Sequence, residues 1–334
     1  MKVLVTGAAG YIGSTFSYSC LQKGYEVIGI DNFLNSSEKN IRTLEKNFAN
    51  NFSFIELDLA TDFNIVENKL QNISCDVVIH FAGLKAVGDS QKQPIEYWDN
   101  NLISTFNLIK VMKKNNMKKL IFSSSATVYG DSSKQPLDEN DQIYPMSCYG
   151  STKIANEFFL RDVSNGYDFD IIALRYFNPV GSHAEKLIIE EIDQKPNNLM
   201  PRILRVAKGL DPKLLIFGND YDTRDGTGER DYIHIEDLIN AHLFSIEKIK
   251  SLKNYNFFNI GTGTKHSVLE LVKTFEEVNN LKVPYEIVNR RDGDVAICYA
   301  DPSKAYKSLG WSAKKDLSFM CKSAWEAIND NDKK

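Results

Sequence analysis

Short apolar runs alternate with longer amphipathic segments over the first 175 residues of the chain. The runs have the length and the Val, Ile, Leu and Phe content of buried strands, and they fall at 2–6, 26–30, 52–57, 76–81, 119–124 and 169–177. Segments with helical periodicity lie between most of them, at 11–23, 90–115 and 149–165. Buried strands that alternate with helices form right-handed βαβ units, so this pattern predicts an α/β fold with a doubly wound parallel sheet.

The pattern becomes irregular beyond about residue 178. Clusters of Pro, Asn and Gly interrupt it, as in "KPNNLMP" and "GNDYDTRDGTG", and the elements between them are shorter. We therefore expect a first domain at 1–177 and a smaller C-terminal α/β substrate-binding lobe at 178–334. A strand and a helix predicted around 230–260 are expected to return to the first domain.

The composition argues against several classes of protein. The net charge of −4 provides no basic face for a nucleic acid or an anionic membrane. No apolar stretch reaches the ~18 residues of a membrane span. The five cysteines and five histidines show no metal-ligand spacing, and the N-terminus lacks the apolar run of a secretory leader. We therefore expect a cytoplasmic protein with reduced thiols, no metal, no membrane anchor and no nucleic-acid partner.

A strand that runs directly into a glycine-rich turn stands at the N-terminus. The sequence "VLVTGAAGYIG" places Gly7, Gly10 and Gly13 between the first strand and an apolar helix. Glycine allows the tight turn and the close approach of a pyrophosphate, which then lies at the helix N-terminus. The turn predicts a Rossmann-type dinucleotide site; a glycine-rich turn without a ligand is the alternative.

Acidic and small residues follow the next strands. Asp31 ends the second strand, where a carboxylate accepts from both ribose hydroxyls and repels a 2′-phosphate, which favours NAD over NADP. Asp58 follows the third strand, where it could reach the adenine amine, and Ala82 and Gly83 end the fourth. Because ligands of doubly wound sheets lie along the C-terminal edge of the strands, we expect these positions to converge.

Ser125 in "FSSSATVYG" and the pair Tyr149 and Lys153 in "CYGSTK" form a candidate catalytic set. Tyr149 and Lys153 are four residues apart, so they share one face of a helix. A lysine ammonium beside a phenol lowers the pKa of the phenol, which becomes a usable general base. Ser125 can hold the same substrate oxygen. A chance Tyr-x-x-x-Lys spacing next to a serine loop is the alternative, and His80 is expected to be a core residue.

Together these motifs resemble a known family. "TGAAGYIG", "FSSSATVYG", "YGSTK" and "RYFNPVG" are similar to the motifs of extended short-chain dehydrogenases/reductases, in particular the UDP-glucose/UDP-galactose 4-epimerases. The resemblance extends from Met1 to about Trp311, through "HFAGLKAVGDS", "DGTGERDYIH" and "RRDGD". A nucleotide-sugar 4,6-dehydratase would be expected to carry acidic residues where this chain has Ser125, Ala126 and Thr127, which argues against that branch.

The resemblance implies the residues of two binding sites. For NAD it implies Gly7, Gly10, Tyr11, Ile12, Gly13, Asp31, Asn32, Asn35, Ser36, Asp58, Leu59, Phe81, Ala82, Gly83, Lys85, Asn100, Ser123, Tyr149, Lys153 and Phe177. For the UDP-sugar it implies Ser125, Tyr149, Asn178, Asn198, Leu199, Leu215, Ile216, Phe217, Arg230, Arg291, Asp294 and Cys298. Arginines suit a UDP diphosphate because they bind it in a bidentate way. A surface ion pair with Glu229 or Asp231 is the alternative for Arg230.

The resemblance also implies a reaction. Tyr149 removes the proton of the hexose 4-hydroxyl, directly or through Ser125, while the hydride from carbon 4 goes to tightly bound NAD. The resulting 4-keto sugar, held through UDP alone, turns its other face and receives the hydride and the proton back. A homodimer formed through the helices around 90–115 and 149–165 is implied as well. Another dehydratase or reductase of this fold and a non-catalytic NAD-binding regulator are the alternatives.

The segment "RRDGDVAICYAD" near the C-terminus bears on the choice of sugar. Counted from Gly293 and Asp294, the family position that walls the hexose 2-substituent falls on Cys298. Family members restricted to plain hexoses carry a tyrosine there, whereas a small residue leaves room for an acetamide. We therefore expect UDP-GlcNAc and UDP-GalNAc to be accepted as well. The alternative is that nearby bulk refills the space, or that a one-residue slip brings Tyr299 inward.

Overall fold

The computed structural model describes residues 1–192, 196, 198–291 and 293–331. The strands are β1 Lys2–Thr6, β2 Glu26–Asp31, β3 Phe52–Glu56, β4 Val77–His80, β5 Lys119–Ser125, β6 Asp170–Tyr176, β7 Asn178–Val180, β8 Leu214–Phe217, β9 Glu229–Arg230, β10 Tyr232–His234, β11 Tyr255–Ile260, β12 His266–Ser267, β13 Tyr285–Val288 and β14 Ile297–Cys298. The helices are α1 Tyr11–Gln22, α2 Glu38–Phe48, α3 Phe63–Leu70, α4 Val87–Lys92, α5 Pro94–Trp98, α6 Ser104–Lys114, α7 Cys148–Tyr167, α8 Leu199–Ala207, α9 Ile235–Leu252, α10 Val268–Asn279, α11 Ser303–Leu309 and α12 Leu317–Asn331, with a π-helical turn at Asp99–Ile103 and a 3₁₀ turn at Ala126–Val128.

A seven-stranded sheet with the order β11-β6-β5-β4-β1-β2-β3 organises the fold. The pairs β1–β2, β1–β4, β2–β3 and β4–β5 are parallel. The chain builds the sheet outward from β1 in one direction through β2 and β3, and then in the other direction from β4. This is the doubly wound arrangement, so the prediction of a Rossmann-type parallel sheet is confirmed. The apolar runs of the inner strands are continuous because helices cover both faces of the sheet.

The chain divides into two compact units. The first contains Met1–Val128, Pro145–Arg175 and His242–Phe258, and the second contains Tyr129–Tyr144, Tyr176–Ala241 and the residues from Asn259 onward. Leu4, Val78, Phe122 and Ile171 belong to a buried cluster on the sheet of the first unit. A second buried cluster, which includes Met200, Ile216, Phe275 and Cys321, joins α8, β8, α10 and α12 in the second unit.

Residues 129–144 differ from the expected division of the chain, since the sequence pattern assigned them to the first domain. Leu137 explains their place in the second unit. Its N–H donates to Tyr299 O at 2.9 Å, and its carbonyl accepts from Asp301 N at 2.8 Å and from Asn259 Nδ2 at 2.9 Å. Tyr129 OH also donates to Asn259 Oδ1 at 2.7 Å. These partners are distant in sequence, so no local pattern could reveal them.

The helix predicted over 90–115 is interrupted in the structure. Proline has no N–H and favours the first turn of a helix, so Pro94 ends the continuity of α4 and begins α5. A π-helical turn then precedes α6. Among the described residues, no helix combines the length and the apolar character needed to cross a membrane.

Candidate active site

Packing requires two of the three glycines in the turn after β1, Gly7 and Gly13, but it does not require Gly10. Gly7 has a φ of +70°, and a Cβ there would lie 2.8 Å from Ala82 N; a Cβ on Gly13 would lie 2.0 Å from Gly7 O. At Gly10 the nearest atom to a built Cβ is 3.5 Å away, an ordinary contact. Gly10 is also the N-cap of α1 and offers no side chain to the first-turn N–H groups. A helix N-terminus without a side-chain cap, beside a glycine that packing does not require, fits the approach of a pyrophosphate.

Asp31, at the end of β2, connects this turn to the segment that follows the strand. Its Oδ2 accepts from Ala9 N at 3.0 Å, and its Oδ1 accepts from Phe33 N at 2.9 Å and Ser36 Oγ at 3.1 Å. The arginine that follows it on α2, Arg42, is paired with Glu38. The half-buried carboxylate therefore stands where the second strand reaches the carboxyl edge of the sheet, in keeping with NAD rather than NADP.

The other predicted cofactor residues of the first unit follow the strand ends. Asp58 forms a turn in which Oδ1 accepts from Ala60 N at 2.8 Å, and Ala82 N donates to Thr6 Oγ1 at 3.2 Å. The Leu59 carbonyl accepts a hydrogen bond from Asn107 Nδ2, and the Ser123 carbonyl accepts one from Lys153 Nζ. Tyr11, Ile12, Asn32, Ser36, Phe81, Gly83 and Asn100 are half-buried, whereas Asn35 and Lys85 are exposed. Phe177 belongs to the second unit, where its N–H donates to Ile260 O at 3.3 Å.

His80 is a core residue, as expected. Its Nδ1 lies 2.7 Å from Thr6 Oγ1 and its Nε2 lies 3.0 Å from Thr105 Oγ1, so both ring nitrogens have partners. Burial, with a smaller contribution from the charge of Lys153, lowers the pKa of His80 to about 3. A neutral, fully bonded imidazole holds β1, β4 and α6 together.

The candidate catalytic side chains are buried together at the end of β5 and the start of α7. Ser147 caps α7 by accepting from Gly150 N at 3.1 Å, which fixes the first turn that carries Tyr149. Lys153 Nζ donates to Ser123 O at 2.7 Å and lies 5.8 Å from the centre of the Tyr149 ring. A hydrogen bond with Ser125 also acts on the Tyr149 phenol. The helix spacing therefore places Tyr149 and Lys153 on one face of α7, beside the end of β5 that carries Ser125.

The pKa of the phenol differs from the sequence expectation. Burial raises the pKa of Tyr149 to about 12, and the hydrogen bond with Ser125 opposes that rise. Burial likewise lowers the pKa of Lys153 to about 8, against the charge of Glu157. Desolvation dominates both groups in the protein itself and Lys153 is bonded to a carbonyl, so the phenol pKa is raised overall rather than lowered as we expected.

A buried ion pair behind the catalytic set was missed by sequence reasoning. Arg175, on β6, donates from Nε to Glu157 Oε1 at 2.9 Å and from Nη2 to Glu157 Oε2 at 2.7 Å. Ser124 Oγ donates to Glu157 Oε1, and Tyr255 OH donates to Glu157 Oε2 at 3.2 Å. Two signals could have revealed it: an arginine within an apolar strand, and a glutamate four residues after Lys153 on the same helix face.

Asn101, in the π-helical turn, is a second residue that was missed. Its Oδ1 accepts from Leu84 N at 2.7 Å, and its Nδ2 donates to Leu84 O at 3.0 Å and to Thr152 Oγ1 at 2.9 Å. Its carbonyl accepts from Asn156 Nδ2 at 2.9 Å. It therefore fixes the segment after β4 to α7. The sequence analysis named the neighbouring Asn100 instead, and nothing in the local sequence distinguishes the two asparagines.

The predicted sugar-nucleotide residues of the second unit centre on a small sheet with the order β12-β9-β14. Cys298 on β14 lies opposite Arg230 on β9 in a parallel pair. Arg230 Nη1 donates to Glu229 O at 2.9 Å and to Ala296 O at 3.3 Å, whereas the Glu229 carboxylate pairs with Lys265. The suggested ion pair between Arg230 and its neighbours is therefore not the arrangement found. Two main-chain carbonyls hold the guanidinium of Arg230 through Nη1, and a guanidinium has five N–H donors in all.

The remaining candidates of the second unit lie at three places. Arg291 forms a two-point pair with Asp294, Nη2 to Oδ1 at 2.9 Å and Nε to Oδ2 at 3.2 Å, and its guanidinium lies 5.5 Å from the Phe217 ring. On β8, Leu215 and Phe217 are half-buried, but Ile216 is 1% exposed and packs in the core, so only its backbone could reach a ligand. Asn198 is the exposed N-cap of α8, Leu199 is its half-buried first residue, and Asn178 is exposed on β7.

No group of three or more His, Cys, Asp or Glu side chains among the described residues is arranged to hold a metal ion.

Comparison with known proteins agrees with this arrangement. Residues 4–324 match the family model described as GDP-mannose 4,6 dehydratase. The chain is 44% identical to the UDP-glucose 4-epimerase of Bacillus subtilis (strain 168), over 99% of this chain and 98% of the relative.

Two solved structures have the same fold. The UDP-glucose 4-epimerase of Bifidobacterium longum, in complex with NAD+ and UDP, superimposes with a TM-score of 0.94 at 44% identity, covering 99% of both chains. The UDP-Glc/GlcNAc 4-epimerase of Campylobacter jejuni does so with a TM-score of 0.83 at 34% identity, covering 98% of this chain and 99% of the other. With its glycine-rich turn and its buried serine, tyrosine and lysine, the chain belongs to the UDP-glucose 4-epimerase family of extended short-chain dehydrogenases/reductases.

Proposed function

We propose that the chain is an NAD-dependent UDP-hexose 4-epimerase that interconverts UDP-glucose and UDP-galactose through a transient 4-keto sugar. The observation that carries the proposal is the burial of Ser125, Tyr149 and Lys153 together at the end of β5 and the start of α7. It is supported by relatives and solved structures of this activity that match the whole chain.

The residues present fit NAD. Gly10 and the N-terminus of α1, which has no side-chain cap, suit the pyrophosphate, and Asp31 suits the adenosine ribose. Bound NAD would supply the acceptor and donor for the hydride of hexose carbon 4, and the positive charge of its nicotinamide would favour an ionised phenol nearby. The Bifidobacterium enzyme, solved in complex with NAD+ and UDP, supports this assignment.

The protein's own groups handle the proton. Tyr149 accepts the proton of the hexose 4-hydroxyl, directly or through Ser125, and gives it back to the same oxygen at the end of the cycle. Lys153, held against Ser123 O, keeps a positive charge close to the phenol ring. A phenol whose pKa is about 12 in the protein alone needs positive charge nearby to ionise at neutral pH.

The proposed substrate contacts explain how one enzyme can work on both faces of a sugar. Arg230 and Arg291 suit the diphosphate of UDP, and Phe217 offers a flat apolar surface to the base. Strong binding to UDP with loose contacts to the hexose allows the keto sugar to turn without leaving.

A substitution at Tyr149 tests this function. Tyr149→Phe removes the phenol oxygen and keeps the ring, so we expect at least a ~1,000-fold loss in interconversion of UDP-glucose and UDP-galactose, with UDP binding and NAD content retained. Tyr144→Phe, a change at an exposed tyrosine, is the control and should be as active as wild type. Near-normal turnover by Tyr149→Phe, or a dehydrated or reduced product from wild type, would refute the proposal.

Two other functions fit the molecule less well. A 4,6-dehydratase needs an acid near the serine, but here Thr127 Oγ1 donates to Ser125 Oγ at 3.0 Å. A regulator that only binds NAD has no use for a buried tyrosine and lysine, and burying a lysine is costly. Both observations favour the epimerase.

We further propose that N-acetylated hexoses are accepted. Residues opposite each other in a sheet share a face, and neighbours along a strand alternate. Cys298 therefore shares a face with Arg230, whereas Tyr299 points to the other side, where Lys265 Nζ lies 5.9 Å from its ring. If Arg230 binds the diphosphate, the small Cys298 faces the ligand, which argues against a one-residue slip. The Campylobacter neighbour, named for both UDP-Glc and UDP-GlcNAc, is consistent with this proposal.

A size change at Cys298 tests the choice of sugar. Cys298→Tyr should reduce turnover of UDP-GlcNAc and UDP-GalNAc by at least ~100-fold and leave UDP-glucose turnover within a few-fold, because a bulky ring fills the acetamide space. Cys298→Ser, which keeps the small size, should accept both pairs of sugars. The proposal fails if wild type ignores the N-acetyl pair.

We also propose a homodimer and a cytoplasmic location. In the first unit, a groove of about 300 Å³ between α6 and α7 is lined by Phe106, Ile109, Lys110, Lys113, Phe159, Val163, Tyr167 and Phe169. Phe158, the neighbour of Phe159 on α7, is an exposed apolar side chain. Such a patch is typical of a surface that pairs with another chain. All five cysteines are free thiols, as suits a reducing compartment.

A further inference from the structure

Asp231 is a buried carboxylate that links separate segments of the second unit. It lies between β9 and β10 and is 0% exposed. Its Oδ1 accepts from Thr262 N at 2.8 Å and Thr262 Oγ1 at 2.6 Å, and its Oδ2 accepts from Gly263 N at 2.9 Å and Ala300 N at 3.2 Å. Gly261 packs against the same group, since a Cβ there would come within 2.6 Å of Oδ2. The carboxylate thus fastens the loop after β11 to the chain just beyond β14.

The backbone of Asp231 is bonded to the predicted sugar-nucleotide contacts. Its N–H donates to Cys298 O at 3.1 Å, and its carbonyl accepts from Asn178 N at 3.0 Å. Arg230 is the preceding residue and lies opposite Cys298 across β9 and β14. Each of these three candidates is therefore one residue or one main-chain hydrogen bond away from Asp231.

The buried carboxylate carries a desolvation cost that its hydrogen bonds partly offset. Burial raises the pKa of Asp231, although the hydrogen bonds from Thr262, Ala300 and Gly263 oppose the rise. A carboxyl group whose pKa is raised in the folded state favours its protonated form there, so its ionised form costs folding free energy at neutral pH. The donors around it are neutral N–H and O–H groups, and each needs an acceptor.

We propose that Asp231 is a positioning residue for the sugar nucleotide: it holds β14 in register with β9 and thereby fixes Arg230 and Cys298. It acts through these residues and does not contact the substrate. The inference rests on the proposed function, because that function makes Arg230 and Cys298 substrate contacts. An acceptor with two oxygens is required, since donors from two different segments converge on Oδ1 and Oδ2.

The test compares UDP binding and turnover in Asp231→Asn and wild type, both as purified holoenzymes. Asparagine keeps the size of the side chain but turns an NH₂ group toward the N–H groups of Gly263 and Ala300. We expect the Kd for UDP, measured by calorimetry, and the KM for UDP-glucose to rise about tenfold or more. The kcat at saturating substrate should change far less, and the NAD content should match wild type, since the glycine-rich turn lies in the other unit.

Asp237→Asn is the matched control. Asp237 is also buried in the second unit, and its Oδ2 accepts from the N–H groups of Lys314 and Lys315 at 2.9 Å. It bonds no predicted substrate contact among the hydrogen bonds described for it. This variant should lose stability but keep the wild-type Kd for UDP. The proposal is overturned if Asp237→Asn weakens UDP binding as much, or if Asp231→Asn binds UDP as wild type does.

Two variants at neighbouring residues decide the question if Asp231→Asn does not fold. Thr262→Val removes one donor to Oδ1, and Gly261→Ala places a methyl group against Oδ2. Both should raise the KM for UDP-glucose in the same direction and leave kcat nearly unchanged; unchanged KM values in both overturn the proposal. A failure of the proposed function is separate, because wild type would then bind UDP without interconverting UDP-glucose and UDP-galactose.

Discussion

Burial sets the protonation of both Tyr149 and Lys153, and in both it favours the neutral form. The pKa of Tyr149 is raised to about 12 and that of Lys153 is lowered to about 8. A charged lysine in this position is therefore held against the preference of its surroundings, with Ser123 O and the Phe122 ring, 4.9 Å from Nζ, as its partners. A buried charged lysine lowers the folding stability of the protein, a cost that is common at catalytic sites.

Lys153→Met should make this cost visible. Lowering the pKa from 10.5 to about 8 corresponds to about 3 kcal/mol of unfolding free energy withheld from wild type below pH 8. The sign follows from the lowered pKa: as pH rises from 8 toward 10.5, the folded lysine has already lost its proton and the unfolded one has not, so wild-type stability rises. The variant has no lysine to titrate at this position. The unfolding free energy of wild type should therefore rise by up to about 3 kcal/mol relative to that of Lys153→Met between pH 8 and 10.5.

Urea unfolding of both proteins at several pH values measures this difference. At neutral pH the variant should be at least as stable as wild type, and it should be inactive toward UDP-galactose. Lys273→Met, at an exposed lysine of α10, is the control and should show no such pH dependence relative to wild type. A difference between wild type and Lys153→Met that is constant from pH 8 to 10 would contradict the burial argument.

The helix α7 presents Tyr149 and Lys153, and the Glu157–Arg175 pair fastens it to the sheet. Arg175 is 1% and Glu157 3% exposed, and their partners come from β5, β6 and β11. Arg175 also lies 4.5 Å from the Phe257 ring. Two charges are costly to bury, but once both are in place, the loss of one leaves the other uncompensated. The position of α7 thus depends on the intact pair.

Arg175→Met should lower the unfolding free energy by about 3–5 kcal/mol, because it leaves Glu157 buried without its partner. The double variant Arg175→Met/Glu157→Gln should be more stable than Arg175→Met alone, since no buried charge remains. Denaturant titrations of wild type, both single variants and the double variant give the coupling energy. Strictly additive losses would show that the two side chains do not act as a pair.

The sequence pattern correctly predicted the features that depend on local residue type, namely the strands of the sheet and the glycine-rich turn. The strands of the sheet appear near their predicted positions because both faces of the sheet demand apolar residues, and Gly7 and Gly13 are required by packing. Pro94 is also a local signal for a helix break, but the helical periodicity on both sides of it led to the prediction of one continuous helix. Asn101 and Asp231 were not predictable in the same way, since their partners are distant in sequence. For Arg175 and Glu157 the sequence marks two unusual positions but does not show that they meet. The binding roles of the individual site residues stay predictions.

The surface of the first unit bears on the assembly of the whole chain. Soluble proteins carry scattered apolar side chains, but a contiguous patch with aromatic residues is typical of an interface. Phe106 and Phe159 meet edge to face, with ring centres 4.4 Å apart, in the groove between α6 and α7, and Lys113 lies 3.7 Å above the Tyr167 ring. These aromatic side chains lie on the two helices that the sequence resemblance assigns to a homodimer.

Phe158→Glu should convert the proposed dimer to a monomer. Phe158 is 49% exposed in the single chain, so the substitution leaves the core intact, but a carboxylate buried in an apolar interface would be strongly unfavourable. Ile65→Glu, at a residue that is 50% exposed on α3, is the matched control and should keep the assembly of wild type. Sedimentation equilibrium should give about twice the chain mass of 37.9 kDa for wild type and Ile65→Glu, and the chain mass for Phe158→Glu. A wild-type monomer, or a Phe158→Glu protein that still assembles, would rule out this face as the dimer interface.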